Sequence, residues 1–180
     1  MSTLKLNLPT ILTLSRIVLI PVFVLSVNHH PVLGALVFAI ASITDFLDGY
    51  LARRSGQITT FGIIMDPIAD KFLIISALIV LVDMDRLDVS VAIILIVREF
   101  LITTLRVVAL SKDIIIPAEM GGKLKTGAQI TAILCLILVG TIFDHLPIDL
   151  YDIGHVTIAI AVVLAVVSGV QYTLAFWRKI

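Results

Sequence analysis

Six long runs of mostly apolar residues divide this chain. They extend roughly from Thr10 to Val27, Pro31 to Arg53, Phe61 to Val82, Val89 to Leu110, Gly122 to Phe143 and Ile153 to Phe176. A helix that crosses the hydrocarbon core of a bilayer needs about 20 such residues. The chain is 59% hydrophobic and only 14% charged, against about a quarter charged in a soluble domain. A surface made from these runs would be poorly tolerated by water, so the bilayer is the expected solvent. The connections are short and hold the turn-forming and charged residues: Asn28 to His30, Ser55 to Gln57, Asp83 to Asp88, Ser111 to Gly121 and Asp144 to Asp152. The pattern predicts an all-α integral membrane protein, a six-transmembrane-helix bundle forming one domain over residues 1–180. The first run is broken by Arg16 and Pro21 and precedes no small-residue cleavage site, so it reads as a retained span. Net charge is +0, which leaves no global field to attract nucleic acid. The single cysteine, Cys135, allows neither an internal disulfide nor a cysteine zinc site.

Orientation follows from where Lys and Arg fall, because cytoplasmic flanks carry the excess. The termini and the second and fourth connections collect Lys5, Arg16, Arg53, Arg54, Lys112, Lys123, Lys125, Arg178 and Lys179. The other side has only Arg86, beside Asp83, Asp85 and Asp88. Both termini are therefore expected in the cytoplasm, in a multi-pass protein of the cytoplasmic (inner) membrane. Tyr172 and Trp177 lie near the last cytoplasmic boundary and suit either an aromatic belt or ordinary packing.

Four carboxylates stand at the cytoplasmic ends of two consecutive runs: Asp45, Asp48, Asp66 and Asp70. Ionisable groups inside a membrane are costly, and they mark functional sites by default. At about 100° per residue, Asp45, Asp48, Gly49 and Ala52 share one helix face. Gly62, Asp66 and Asp70 step by four and share another. A tight turn around Ser55-Gly56 would oppose the two acidic faces, and carboxylates so close repel unless cations lie between them. Oxygen donors without His or Cys favour Mg²⁺ or Mn²⁺ over zinc. Two such ions would make a clamp for phosphoryl or phosphatidyl transfer. Gly49, Ala52 and Gly62 leave room for a bulky ligand, or for close helix packing, and Arg53 can grip a phosphate with two parallel bonds.

The stretch Asp45-x2-Asp48-Gly49-x2-Ala52-Arg53-x8-Gly62-x3-Asp66-x3-Asp70 resembles the signature of the CDP-alcohol phosphatidyltransferases, with every fixed position present. The resemblance implies that Asp45, Asp48 and Asp66 hold two divalent metals. It implies that Asp70 also contacts a metal and serves as general base, and that Gly49, Ala52, Arg53 and Gly62 bind the CDP portion of CDP-diacylglycerol. It further implies six transmembrane helices, a homodimer, and attack by an alcohol on the phosphorus that carries the lipid, with release of CMP. A site at the cytoplasmic surface lets a water-soluble acceptor meet a donor whose tails stay among the membrane lipids.

The metal motif does not select the acceptor. Cations at Arg106, Lys123 and Lys125, with Arg16 near the same boundary, suit the phosphate of glycerol 3-phosphate better than serine, choline or ethanolamine. Lys123 and Lys125 also read as flanking positive charge, and Arg98 and Glu99 as a structural ion pair. Adjacent residues do not face each other on a helix, so each of that pair is expected to have another partner. Three stretches resemble the branch of the family that uses glycerol 3-phosphate: Asn7 to Thr10 with Thr13 and Arg16, Arg98 to Arg106, and Gly122 to Thr126. The alternatives left open are the same chemistry on another acceptor (phosphatidylglycerol, serine or an inositol phosphate), an intramembrane prenyltransferase, and a divalent-cation transporter lined by the carboxylates. His29, His30, His145 and His155 fall near the opposite boundary and read as solvated or interfacial.

Overall fold

The computed structural model of the chain describes residues 8–55, 60–112, 120–141, 145 and 147–179. Within these, the side chains at 8–14, 16, 45–55, 60–70, 110, 120, 121 and 123 lie outside the description. Six α-helices account for nearly all of it: α1 (Leu8–His29), α2 (Pro31–Ser55), α3 (Thr60–Asp83), α4 (Val89–Ser111), α5 (Met120–Leu138) and α6 (Leu150–Trp177). The apolar runs and the helices coincide to within a few residues, with one exception. The fifth run suggests a helix reaching Phe143, but α5 stops at Leu138. Gly140 takes a left-handed φ of 74°, the conformation that ends helices at least cost. Arg86 then donates Nη1 to the terminal carbonyls of Leu136 and Ile137, at 2.8 Å each. The charged Asp83–Asp88 connection is thus only partly the solvated loop that its composition suggests. Its acids at 83, 85 and 88 are exposed, while its arginine caps a neighbouring helix.

The helices pack as α1 against α2 and α3, α5 against α6 and α2, and α4 against α6. The core joins Phe23 and Val27 of α1, Phe38 and Ala41 of α2, Leu78 and Leu81 of α3, Leu95 of α4, and Ile133, Leu136 and Ile137 of α5. Rows of side chains three and four apart make the contacts. On α6 the buried row is Gly154, Ile158, Ala161, Ala165, Ser168, Gly169, Tyr172 and Phe176. Its small members let backbones approach. A Cβ at Gly154 would meet the Leu136 side chain at 2.7 Å. The opposite face of α6 exposes Val156, Ile160, Val163, Val167, Val170 and Leu174. This helix, of 28 residues with an 18-residue stretch of mean hydropathy 2.4, is long and apolar enough to cross a membrane.

Two helices that begin at the same end are capped alike. Asp88 accepts from the Ser90 N–H at 2.7 Å ahead of α4, and Asp149 accepts from the Tyr151 and Asp152 N–H groups ahead of α6. Each satisfies amide donors that lack an intrahelical partner. The Ser90 hydroxyl, followed by its N–H, holds the Asp88 carboxyl below the usual carboxylate range.

Helices α1 and α2 are joined through His30 alone. Pro31 opens α2, where its missing N–H costs nothing. The hairpin closes so tightly that a Cβ at Gly34 would lie 2.6 Å from the Cα of Val27. Gly127, in α5, has nothing within 4 Å of the same position. Gly34→Ala is therefore expected to destabilise the bundle by about 1–3 kcal/mol, the usual cost of overpacking. Gly127→Ala is expected to be neutral or to stabilise by up to about 1 kcal/mol. Thermal unfolding in detergent checks both, and equal midpoints for the two variants would refute the close approach at Gly34.

Candidate active site

Backbone geometry brings the two halves of the aspartate pattern to one end of the bundle. Five chain steps separate Ser55 from Thr60, a reach of at most about 18 Å. At 1.5 Å per residue, Asp48 is about 10 Å back from the end of α2 and Asp66 about 9 Å into α3. Asp45 and Asp70 are each about 15 Å from the same ends. The four positions thus fall at two matching levels on neighbouring helices. Gly49, Ala52 and Arg53 continue α2 toward its end, and Gly62 is near the start of α3. The side chains of all eight signature positions lie outside the described residues, as do those of Arg16 on α1 and Lys123 on α5.

At that same end a cavity of about 250 Å³ opens between α3, α4, α5 and α6. Its wall includes Lys71, Arg98, Glu99, Thr103, Arg106, Thr126, Ser168 and Tyr172. Lys71 directly follows Asp70, so the cavity borders the acidic level of α3. Glu99 is its electrostatic centre. Oε1 accepts from Lys125 Nζ and, at 3.3 Å, from Arg98 Nη1, while Oε2 lies 3.9 Å from Lys71 Nζ. Arg98 reaches on to α6, donating Nη2 to Ser168 Oγ at 2.8 Å and Nε to the Ala165 carbonyl at 3.2 Å. Arg106 sits 5.9 Å from the centroid of the Tyr172 ring. Four described cations, Lys71, Arg98, Arg106 and Lys125, line or underlie the cavity around the Glu99 carboxylate. On the far side of Arg98 an apolar groove of about 460 Å³ runs between α4 and α6, lined by residues such as Ile94, Val97, Leu101, Val166 and Val170. The Arg98 side chain is part of both walls.

Arg98 and Glu99 do have other partners, as their adjacency suggests, yet they also touch. Both are long enough to bend together over a shared helix edge. Lys125 is buried at 2% exposure and bound to Glu99, so it is an interior cation and not a flanking surface charge. Arg106 is the predicted acceptor-site residue whose described side chain lines the cavity itself. Lys71, Ser168 and Tyr172 join the site without having been assigned to it from sequence, where Tyr172 reads as a belt or packing residue. For Lys71 the available signal is its place beside Asp70. For Tyr172 it is the spacing of four from Ser168 along a row of small residues. Tyr172 is buried, whereas Trp177 is exposed as a belt residue would be. His29, His30 and His145 are exposed, and His155 stacks on Tyr151 at 4.1 Å, all away from the cavity.

The model of the CDP-alcohol phosphatidyltransferase family matches residues 6–168, and the chain belongs to that family. Curated relatives resemble it over most of their length. A CDP-diacylglycerol--glycerol-3-phosphate 3-phosphatidyltransferase of Bacillus subtilis (strain 168) is 38% identical over 192 residues, covering 97% of each chain. The protein of that name from Rickettsia felis is 38% identical over 170 residues, covering 92% of this chain and 93% of its own. A probable phosphatidylglycerophosphate synthase of Mycobacterium tuberculosis is 41% identical over 181 residues, covering 97% of this chain and 83% of its own.

The Glu99–Lys125 pair carries a prediction of its own. Removing one member of a buried pair leaves an uncompensated charge, at a cost of about 3–5 kcal/mol. Glu99→Ala is expected to lose about that much, and Lys125→Met in the same chain to recover a large part of it. A double-mutant cycle on thermal unfolding measures the coupling, and additive losses would refute the pairing.

Proposed function

We propose that this protein transfers the phosphatidyl group of CDP-diacylglycerol to glycerol 3-phosphate, giving phosphatidylglycerophosphate and CMP in phospholipid biosynthesis. The observation that carries the reading is the meeting, at one end of the bundle, of the eight-position signature and a cation-rich cavity that share the Asp70–Lys71 step. The names of the relatives agree with it. A cavity of about 250 Å³ lies just below the roughly 300–1,000 Å³ of pockets for drug-sized ligands, which suits a small anion.

In this reading Asp45, Asp48, Asp66 and Asp70 form an oxygen-only donor set that fits two Mg²⁺ or Mn²⁺ ions. When bound, such ions supply neutralisation of the diphosphate and of charge developing on the leaving CMP. Gly49, Ala52, Arg53 and Gly62 seat the CDP portion. Arg106, Lys123, Lys125 and Arg16 attract and orient the acceptor phosphate, Lys125 from beneath the cavity through the charge it shares with Glu99. The acceptor hydroxyl oxygen bonds to the phosphorus that carries diacylglycerol, the P–O bond to CMP breaks, and Asp70 takes the hydroxyl proton.

The same reading makes the chain one domain with six membrane spans, both termini and the site on the cytoplasmic side of the inner membrane, acting as a homodimer. Two observations support membrane integration. Large apolar side chains such as Val18, Leu25, Ile79, Val97 and Val163 face outward, while Lys125, Gln129 and Ser168 are buried. The positive charge collected by the termini and the second and fourth connections supports the orientation. The homodimer follows from the family resemblance.

The decisive assay is CMP release from CDP-diacylglycerol by the purified protein, with glycerol 3-phosphate, phosphatidylglycerol, serine and inositol phosphate offered separately and a chelator as control. Release with glycerol 3-phosphate that the chelator stops is expected, and release only with another acceptor would reassign the cavity. Asp66→Asn is expected to abolish turnover while leaving a folded protein, and near-normal activity would sink the metal assignment. Lys125→Ala is expected to raise the KM for glycerol 3-phosphate. An unchanged value would leave Lys125 a structural role alone.

A further inference from the structure

The buried row of α6 contains one polar atom that packing does not explain. Tyr172 is 5% exposed, and its hydroxyl oxygen, shielded from solvent, has no hydrogen-bond partner among the described residues. Buried hydroxyls of Tyr usually find a partner, because leaving one unpaired forfeits the solvation it had in water. Phenylalanine would fill the same volume without that loss. Tyr172 is also part of the cavity wall, one helical turn beyond Ser168, which fixes Arg98. Arg106 lies over its ring, where the π face attracts a cation. The ring thus braces one of the cavity's cations, while the hydroxyl of the same lining residue is left without a described partner.

We infer that Tyr172 is a specificity-determining residue: its hydroxyl donates a hydrogen bond to the phosphate of the acceptor, and its ring holds Arg106 against the same phosphate. This inference rests on the reading of the cavity as the acceptor site. A phenol is a good donor to an anionic oxygen, and bonds to charged acceptors are about twice as strong as neutral ones. The two contacts arise from neighbouring helices, Arg106 from α4 and Tyr172 from α6, so a phosphate between them would be gripped from two sides. An acceptor with no phosphate would leave the hydroxyl unpaired and Arg106 uncompensated. Discrimination of this kind is large, because the penalty falls on the wrong ligand.

The test is Tyr172→Phe, which keeps the ring, its volume and the contact with Arg106. Its KM for glycerol 3-phosphate is expected to rise roughly ten-fold or more, the scale of one lost bond to a charged group. The kcat at saturating acceptor and the KM for CDP-diacylglycerol are expected to stay within about two-fold, the signature of lost ground-state binding. A rise confined to the KM for CDP-diacylglycerol would place the hydroxyl on the donor diphosphate and overturn the inference. A second readout needs no turnover. Without ligand, the variant should unfold in detergent at the wild-type temperature or above, and the stabilisation that inorganic phosphate or glycerol 3-phosphate gives the wild type should shrink. A lower unfolding temperature for the ligand-free variant would assign the hydroxyl a structural role and overturn the proposal. If the wild type releases no CMP with glycerol 3-phosphate, the reading of the cavity fails. If it does, and Tyr172→Phe has an unchanged KM, this inference alone fails.

Discussion

The Glu99 carboxylate decides how four helices meet. It takes Lys71 from α3 and Lys125 from α5, and its neighbour Arg98 carries the linkage to Ser168 on α6. Charges this far from water persist only when they are paired and hydrogen-bonded. Lys125 could not remain at 2% exposure without that carboxylate. Glu99 also lies among three cations, Lys71, Arg98 and Lys125, whose mutual repulsion it offsets. The cavity is therefore held open by an electrostatic balance and not by packing alone. Apolar side chains fill the rest of the interior, and at this end they give way to a framework of fixed charges. Arg106 lines the same cavity and lies over the Tyr172 ring.

Polarity in this bundle is arranged against the habit of water-soluble proteins. Branched apolar side chains cover the outside of α6, and its inner row is mostly glycine, alanine and serine. The small residues bring α5 and α6 close, as Gly154 does against Leu136. The polar cavity lies where long polar chains replace the small residues of that row. Arg98 marks that transition. Its side chain is part of the wall of both the apolar groove between α4 and α6 and the polar cavity. Long cationic side chains do this readily, because they are apolar for most of their length.

Much of the architecture is legible in the sequence because an apolar run long enough for a helix has few other uses, and the run that opens at Pro31 begins where α2 does. The end of α5 is not legible in the same way. Residues beyond Leu138 are apolar enough to continue the helix, and what stops it is a left-handed Gly140 with an arginine supplied from 50 residues earlier. The acidic pattern can be read because its spacing repeats the helical period. Lys125 reads as a flanking charge because nothing local reveals that α5 turns it inward toward Glu99. Tyr172 is ambiguous for a related reason. A tyrosine near a predicted boundary suits a belt or a core, and only the rotation of α6 about its own axis separates the two. Positions along helices follow from composition, whereas which way each helix faces is settled by partners far away in the chain.

The single-residue joint at His30 has a consequence for the order in which the protein is assembled. Loop-closure entropy grows with the length of the loop, so α1 and α2 pay least to find one another. Their contacts, Phe23 with Phe38 and Val27 with Gly34, lie between residues close in sequence. Synthesis proceeds from the N-terminus, and such a hairpin can form while α4 to α6 are still unmade. Half of the aspartate pattern would then already be mounted on a paired scaffold when α3 emerges. The last helices to arrive, α5 and α6, are also a neighbouring pair. The bundle can therefore be built from two early-forming hairpins, at its beginning and its end, with α3 and α4 closing the site between them.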